Sequence, residues 1–128
     1  MSVEDVIARH EAIQREGDEL AAERRSKALA VAWVRRRQLK ELRKAFKDRE
    51  VDPLAVVAGD VDPRIEAVVS EVRLKSLLPL IPGLGQASSY EVLNAFGVSG
   101  TRKLGSLSSE RRRELVFIIK GASGNHVI

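Results

Sequence analysis

The sequence has no cysteine and only two histidines, which limits the chemistry that this protein can support. Without cysteine there is neither a disulfide framework nor a thiolate metal site. His10 and His126 lie near opposite ends of the 128-residue chain, so the sequence offers no recognisable zinc site. We therefore expect no metal and no other cofactor, and a binding protein rather than an enzyme.

Long apolar runs are also missing. No stretch approaches the roughly 20 residues that a membrane-spanning helix needs. The first eleven residues are acidic, where a signal peptide would be basic and then apolar. We expect a cytoplasmic protein with no membrane partner. Its length predicts one compact domain with some extended helix attached.

The charges are unevenly distributed along the chain. A net charge of +4 says little by itself, because many proteins that never bind nucleic acid are as basic. Residues 1–23 hold seven acids and two bases, whereas residues 24–50 hold eleven bases and three acids. A weaker excess of bases returns in residues 76–128. The cations are therefore concentrated in one stretch, with a second cluster near the C-terminus.

The basic stretch predicts a long helix from Ala21 to about Asp48, since it lacks proline and glycine and is rich in good helix formers. At 100° per residue, one narrow arc is apolar and is expected to pack on the rest of the protein; it consists of Ala32, Leu39, Leu42 and Phe46. The adjoining third of the helix is cationic and consists of Arg36, Arg37, Lys40, Arg43, Lys44 and Lys47.

A solvated helix face is the plain interpretation of these six cations. However, Glu41 is the one acid in the run, and neighbouring like charges repel one another, so the pattern favours a polyanionic partner. Trp33 projects among the cations, where it could stack on nucleic acid or pack against a neighbouring element. The six cations are our first candidate DNA-binding residues.

The remainder of the chain predicts helices and no strand. Asp52-Pro53 and Asp62-Pro63 each supply an N-cap followed by a first helical residue. The expected helices are Pro53–Ala58, Pro63–Glu71, Leu74–Leu78, Gln86–Phe96, and one from Ser108 or Ser109 through Ile119 that ends at Gly121. The predicted fold class is all-α, with a long basic N-terminal helix followed by a small helical bundle. Its core is expected to include Tyr90, Phe96 and Phe117.

Between two of these helices lies a glycine-rich turn, Ile81-Pro82-Gly83-Leu84-Gly85. Two glycines around an apolar residue allow a tight turn, and the N–H groups of such a turn, with the next helix N-terminus, can approach an anion. A DNA phosphate would fit that role. The turn alone is a weak signal, because glycine turns between helices are common.

Four motifs in the second half of the chain belong together: Leu77-Leu78, the turn at residues 81–85, the segment Val98-Ser99-Gly100-Thr101-Arg102-Lys103-Leu104, and Leu107 with Arg112. They resemble the helix-two-turn-helix core of the actinobacterial integration host factor family. The resemblance covers roughly residues 31–120, because an arginine-rich helix precedes the core in that family as it does here.

The resemblance implies a nucleoid-associated protein that binds duplex DNA through phosphates and the minor groove, with little sequence specificity, bends it, and takes part in DNA recombination. It places Gly83, Gly85, Arg102 and Lys103 on the DNA. Gln86 and Thr101, which lie beside them in the sequence, are further candidate DNA-binding residues. The family commonly has lysine where this chain has Gln86, and a basic residue where it has Gly105. Two phosphate contacts are therefore expected to be missing, as in a divergent and conceivably phage-borne relative.

The resulting division of the chain is an acidic helical extension at residues 1–30, a basic DNA-binding helix at 31–50, the core at 51–121 and a tail at 122–128. Three interpretations of the extension stay open. It could fold back at Gly17-Asp18 and compete with DNA for the cations, it could associate weakly with a second copy through Val6, Ile13 and Leu20, or it could be an exposed helix.

Other functions are weighed against DNA bending. Glycosylases with a helix-two-turn-helix module use an N-terminal proline and a large second domain, neither of which is expected here. An RNA-binding or ribosome-associated role is the main alternative, since phosphate capture does not distinguish the nucleic acids. The third candidate function is that of a helical interaction protein whose basic flank binds an acidic partner. For Arg111, Arg112 and Arg113, solvent exposure and internal ion pairs with Glu110 or Glu114 stay open.

Overall fold

The computed structural model describes residues 3–24 and 27–124, so that His126 lies outside the described residues. Within these ranges the secondary structure is helical apart from turns and one isolated β-bridge, which confirms the all-α fold class. The α-helices of these residues are α1 (Val3–Arg24), α2 (Lys27–Lys47), α3 (Pro53–Ala58), α4 (Pro63–Val69), α5 (Leu74–Leu77), α6 (Gln86–Phe96) and α7 (Ser109–Gly124). The chain divides into two compact units, Met1–Glu50 and Val51–Ile128.

The first unit is an antiparallel pair of helices. The side chain of Arg9 in α1 reaches Glu41 in α2, and Gly17 lies against Val34. One face of α1 is buried, at Val6, Ile7, His10, Ile13 and Gly17. In α2 the buried side chains are Ala30, Val34, Leu42, Ala45 and Phe46.

The single long helix predicted from Ala21 is wrong at its N-terminal end. Ala21 belongs to α1, which continues to Arg24, and α2 begins at Lys27. The composition of this stretch is helical throughout, but isolated helices gain most of their stability from burying an apolar face. Two amphipathic helices bury their faces by packing against each other, which one continuous helix would prevent.

The buried face of α2 extends further round the helix than the predicted arc. Leu42 and Phe46 are buried as expected, but Ala32 and Leu39 are only half-buried. The side that meets α1 is lined by small or β-branched residues, among them Val34. The prediction gave weight to the large apolar side chains, whereas a close helix pair favours small ones.

Gly17 is not the turn that the fold-back hypothesis placed there. It is buried inside α1, and a Cβ atom added to it would lie 2.1 Å from Cγ2 of Val34. The absence of a side chain therefore permits the close approach of the two helices. The seam proposed for a second copy is also largely occupied within the chain, since Val6 and Ile13 are buried and Leu20 is half-buried.

In the second unit the short helices begin where the sequence predicts. The side chain of Asp52 accepts a hydrogen bond from the N–H of Leu54 at 3.0 Å, and Asp62 accepts one from the N–H of Arg64 at 2.9 Å. These N-caps start α3 and α4, and α6 has the bounds expected for it. A 3-10 turn at Leu78–Leu80 follows α5, where proline at position 79 favours an early end of the α-helix.

Three predicted helix ends differ from the structure: α5 ends at Leu77 rather than Leu78, and the ends of α4 and α7 differ by more. Helix α4 ends at Val69 rather than Glu71, because the next carbonyl groups bond to another segment: Ser70 accepts from the N–H of Gly105 at 2.9 Å, and Val72 from that of Leu104 at 3.0 Å. Helix α7 continues through Gly121 to Gly124. A glycine stops a helix when it takes the left-handed conformation, and Gly121 has no positive φ.

The core of the second unit is held by a buried arginine as well as by apolar side chains. Helix α7 packs on α3 and α6, and Arg112 of α7 is only 8 % exposed. Its guanidinium donates to the carbonyl oxygens of Val57 and Val56, at 2.8 and 3.0 Å, and forms a two-pronged ion pair with Glu66. Arg112 therefore ties the end of α3 and the side of α4 to α7, and its partner is neither Glu110 nor Glu114.

The other residues of this group have different surroundings. Arg111 pairs with Glu114, which decides between the alternatives left open for it, and its guanidinium also lies 4.2 Å from the centroid of the Phe96 ring. Phe96 is buried, but the expectation that Tyr90 and Phe117 are core residues is wrong, since they are 66 % and 78 % exposed. Both lie on the outer sides of their helices, and their apolar character alone was a poor guide.

Candidate nucleic-acid interface

The six candidate cations of α2 form one exposed surface, which we call the α2 cationic face. Every one of them is exposed, and at 100° per residue they share an arc of roughly 120°. None belongs to the buried side of the helix. The members of the face are Arg36, Arg37, Lys40, Arg43, Lys44 and Lys47.

Two carboxylates close to this face in sequence are engaged by a base of α1, whereas Asp48, which follows Lys47, is exposed. Nε of Arg9 donates to Glu41 at 2.8 Å, and Nη2 of the same guanidinium donates to Glu50 at 2.9 Å. In the part of the chain that the structure describes, no carboxylate forms an ion pair with a cation of the α2 face. The six cations therefore have no ion-pair partner among the described residues.

Trp33 lies at the N-terminal end of this face and is half-buried. The guanidinium carbon of Arg37 is 5.8 Å from the centroid of its ring, which is within the range of a cation–π interaction. Trp33 thus has a neighbour within its own helix, one turn away. Its partly exposed ring is still able to contact a ligand of the cationic face.

The acidic helix α1 does fold back along α2, but it does not occupy the cations. Glu11, Glu16, Asp18 and Glu19 are all exposed, and Asp18 accepts a hydrogen bond from Gln14 of its own helix. Arg9 of α1, a base, makes the polar contacts between these segments, to Glu41 in α2 and to Glu50 after it. Competition with DNA by direct ion pairing, as the fold-back hypothesis required, is therefore absent from the described residues.

A second cationic surface lies in the second unit, where the loop after α6 runs antiparallel to the segment before α5. The N–H of Leu74 donates to the carbonyl of Arg102, and that of Lys75 to the carbonyl of Gly100, both at 2.9 Å. Arg73 and Lys103 are bridge partners in this short pairing. The pairing brings together four exposed cations, which we call the loop cluster: Arg73, Lys75, Arg102 and Lys103.

Sequence reasoning missed half of the loop cluster. Arg73 and Lys75 flank Leu74, which is fully buried, so that the alternation of exposed base and buried leucine was the available signal. The predicted members are partly engaged. Lys103 donates to Glu71 at 2.7 Å, and Nε of Arg102 donates to the hydroxyl of Ser106 at 3.2 Å.

Thr101 has a local role in the same loop. Its hydroxyl lies 2.8 Å from that of Ser99, which also accepts from the Thr101 N–H at 3.3 Å. Gly105 marks a close approach: a Cβ atom there would lie 2.7 Å from Cβ of Ser70 and 2.9 Å from its carbonyl oxygen. The backbone pairing therefore excludes the basic side chain that the family has at this position.

The glycine-rich turn lies at the opposite end of α6 from the loop cluster. Ile81 and Leu84 anchor it as buried side chains, whereas Gly83 is exposed with a φ of +91°. Gly85 is the N-cap of α6 and supplies no side-chain cap, and the first turn, which begins with exposed Gln86, contains no acid. The helix N-terminus is thus open to an anion. Eleven residues separate turn and cluster by roughly 16 Å along α6.

The comparisons with known proteins do not assign this chain. No protein-family model, no curated protein and no solved structure matches it. The resemblance to the actinobacterial integration host factor family therefore stays a prediction. Among the described helices none is long and apolar enough to cross a membrane, and the described residues contain no group of side chains suited to a metal ion.

Proposed function

We propose that this protein binds duplex DNA through its phosphate backbone, with little dependence on base sequence. The observation that carries the proposal is the α2 cationic face: six exposed bases with no carboxylate partner among the described residues. Holding like charges together costs free energy in the isolated helix. A polyanion turns that cost into attraction, because each phosphate contact releases condensed counterions.

The role of Arg9 supports this proposal. An exposed basic helix normally lowers its charge density by pairing its bases with its own acids. Here Glu41 of α2 and Glu50, which follows the helix, are both held by Arg9 of α1. These two acids thus form ion pairs with α1 and not with the cationic face, which leaves the bases of α2 available to a ligand.

The second unit supplies groups of the kind that position a protein on a duplex. The loop cluster offers arginine and lysine side chains, and the turn before α6 offers backbone N–H groups at a helix N-terminus. Such contacts go to phosphates and carry little sequence information. Bending of the duplex and organisation of the nucleoid, which the resemblance implies, are part of the same proposal and would follow from contacts made by both units.

The proposal is tested by measuring affinity for fluorescent duplexes of unrelated sequence as a function of salt, in competition with duplex RNA. With five to seven phosphates neutralised, the log–log slope for DNA should be roughly −5 to −6, and sequences should differ little in affinity. A slope near zero, or a preference above about 100-fold for one sequence, contradicts the proposal. Tighter binding of duplex RNA would establish the RNA-binding alternative instead.

The contribution of the loop cluster is tested with Arg102→Gln and Lys103→Gln combined. We expect DNA affinity to fall by about 1–3 kcal/mol with helicity unchanged, because both side chains and the hydrogen bonds that they form are exposed. Glu71→Gln is the matched control, since it releases Lys103 and should strengthen binding slightly. Wild-type affinity in the double variant would remove the loop from the interface.

A further inference from the structure

Phe117 is the most exposed of the large apolar side chains that the structure describes, with 78 % of its surface accessible. It lies in the middle of α7, on the side away from Arg112, Leu115 and Ile119, which are buried. Its ring therefore contributes little to the core of the second unit. The surface of α2 described above does not include it.

The ring lies between two free cations. Arg113 is one helical turn before Phe117 and Lys120 one turn after it, and both are exposed with no carboxylate partner in the described part of the chain. On the other flank Glu114, also one turn from Phe117, is held by Arg111. Gly121 on that flank carries no side chain and has open space beside it, so the ring is accessible there.

Tyr90 shows that this arrangement is specific to Phe117. It is the other exposed aromatic side chain, at 66 %, and it also lies on a regular helix, α6. The residues one turn from it are Gln86, Ala87, Leu93 and Asn94, none of which is charged. Exposure of an aromatic ring is thus common to both sites, and flanking positive charge is confined to one.

We propose that Arg113, Phe117 and Lys120 form a stacking site for an unpaired base of single-stranded DNA. An aromatic ring that stacks on a base, with cations beside it for the backbone, is the combination that binds single strands without sequence preference. Loss of one such stack weakens single-strand binding by roughly 5- to 150-fold. The site is independent of the α2 cationic face, and only the choice of DNA over RNA rests on the proposed function.

A single strand fits this surface better than a wedge into duplex DNA. Phe117 projects from the middle of a helix, and a helix with its side chains is about 10–12 Å across. The minor groove, where wedge residues unstack base steps, is only about 6 Å wide. Inserting Phe117 would require the groove to admit α7, whereas a single strand presents its base faces without that constraint.

The test compares Phe117→Ala with Tyr90→Ala on labelled oligothymidine and on duplex DNA. We expect Phe117→Ala to weaken single-strand binding by about tenfold and to leave duplex binding unchanged, since stacking is lost and no phosphate contact is removed. Tyr90→Ala should leave both affinities unchanged. Phe117→Trp should retain single-strand affinity, because the larger ring still stacks.

The proposal is overturned if Phe117→Ala binds oligothymidine as wild type does, or if Tyr90→Ala loses as much. An equal loss on duplex and single strand would also overturn it, as would a greater Phe117-dependent loss on oligouridine than on oligothymidine. Absence of duplex binding by the wild-type protein would refute the function proposed above and leave the single-strand comparison between variants intact. The two failures are therefore distinguishable.

Discussion

The same tripeptide, Arg-Arg-Arg, occurs in both units, at residues 35–37 in α2 and 111–113 in α7. In α7 the middle arginine, Arg112, is buried and hydrogen-bonded to the carbonyl of Val57 and to Glu66. Arg111 lies against the ring of Phe96. In α2 both Arg36 and Arg37 are exposed, while Arg35 is half-buried. An identical sequence thus serves the interior of one unit and the surface of the other.

The difference in arginine burial follows from the groups that pack against the buried side of each helix. Arg112 faces the C-terminal carbonyl groups of α3 and the carboxylate of Glu66, which together satisfy its donors. The buried side of α2 is lined largely by apolar groups such as Val34, which cannot satisfy a guanidinium, and Arg36 and Arg37 lie outside it. Charge runs therefore have to be interpreted together with the acids and carbonyls that the fold brings to them.

The largest effect is expected from Arg112→Ala. The substitution leaves Glu66 and two carbonyl groups without their donor in a largely buried site, so the free energy of unfolding should fall by about 3–5 kcal/mol. Urea denaturation measures this loss. Arg113→Ala, in the same tripeptide, is the control and should change stability by less than about 0.5 kcal/mol. Equal losses of stability in Arg112→Ala and Arg113→Ala would contradict the distinction between interior and surface arginines.

The next largest effect concerns the contact that fixes which side of α2 is buried. Gly17→Ala would place a Cβ atom 2.1 Å from Cγ2 of Val34, so the two helices must move apart. Overpacking of this kind costs about 1–3 kcal/mol, which exceeds the gain of up to about 1 kcal/mol in helix propensity. We expect a lower melting temperature for the variant.

Gly121→Ala is the matched control, because the same substitution in α7 meets no atom within 4 Å. Only the propensity gain acts there, so the variant should be more stable than the wild type by about 0.5–1 kcal/mol. If Gly17→Ala also raised the melting temperature, the close contact between α1 and α2 would not exist in solution, and the assignment of the buried side of α2 would fail.

Parts of this organisation could be predicted from the sequence. Asp52 and Asp62 before proline, and the glycine after Phe96, define helix ends by local chemistry, and those ends match. The exposure of the α2 cations follows from helical periodicity. Local signals were sufficient wherever one helix or one turn determines the outcome.

The rest depends on contacts between segments that are far apart in sequence. The ion pair of Arg112 with Glu66 spans 46 residues, and no periodicity in α7 distinguishes Arg112 from its neighbours. Arg73 joins the loop cluster through a backbone pairing with the Lys103 segment. Gly17 looked like a turn because its close neighbour, Val34, lies on another helix.

A smaller effect on stability is expected from pH, through a histidine on the buried face of α1. His10 is 4 % exposed, and neither ring nitrogen has a hydrogen-bond partner among the described residues. Burial lowers the pKa of His10 below its ordinary value of 6.5, with Arg9 acting in the same direction and Glu41 opposing it. The unfolded chain therefore binds the proton more readily than the folded one.

Stability from this source is present above about pH 6.5 and is lost as the pH falls through the lowered pKa of the folded state. Thermal denaturation between about pH 7 and pH 5 should show a decline in the wild type. His10→Leu keeps the site apolar and should reduce the decline. The same decline in both proteins would assign it to other groups.

Duplex binding is expected to depend above all on the α2 cationic face, which is probed by neutralising three of its members: Arg36→Gln, Lys40→Gln and Arg43→Gln. These side chains are exposed and unpaired in the described residues, so the fold should be retained. The control removes three exposed bases that lie outside the face and outside the other proposed DNA contacts, and it combines Arg15→Gln, Arg49→Gln and Arg64→Gln. Both variants have the same net charge.

The measurement that tests the central claim most directly is the salt dependence of duplex binding by these two variants and the wild type. We predict that the α2 variant binds about 5–150-fold more weakly, and that its log–log slope is shallower by roughly 2.5 to 3, because three phosphate contacts are lost. The control should keep the wild-type slope. A wild-type slope in the α2 variant, or an equal change in the control, would contradict the claim that this face binds the DNA backbone.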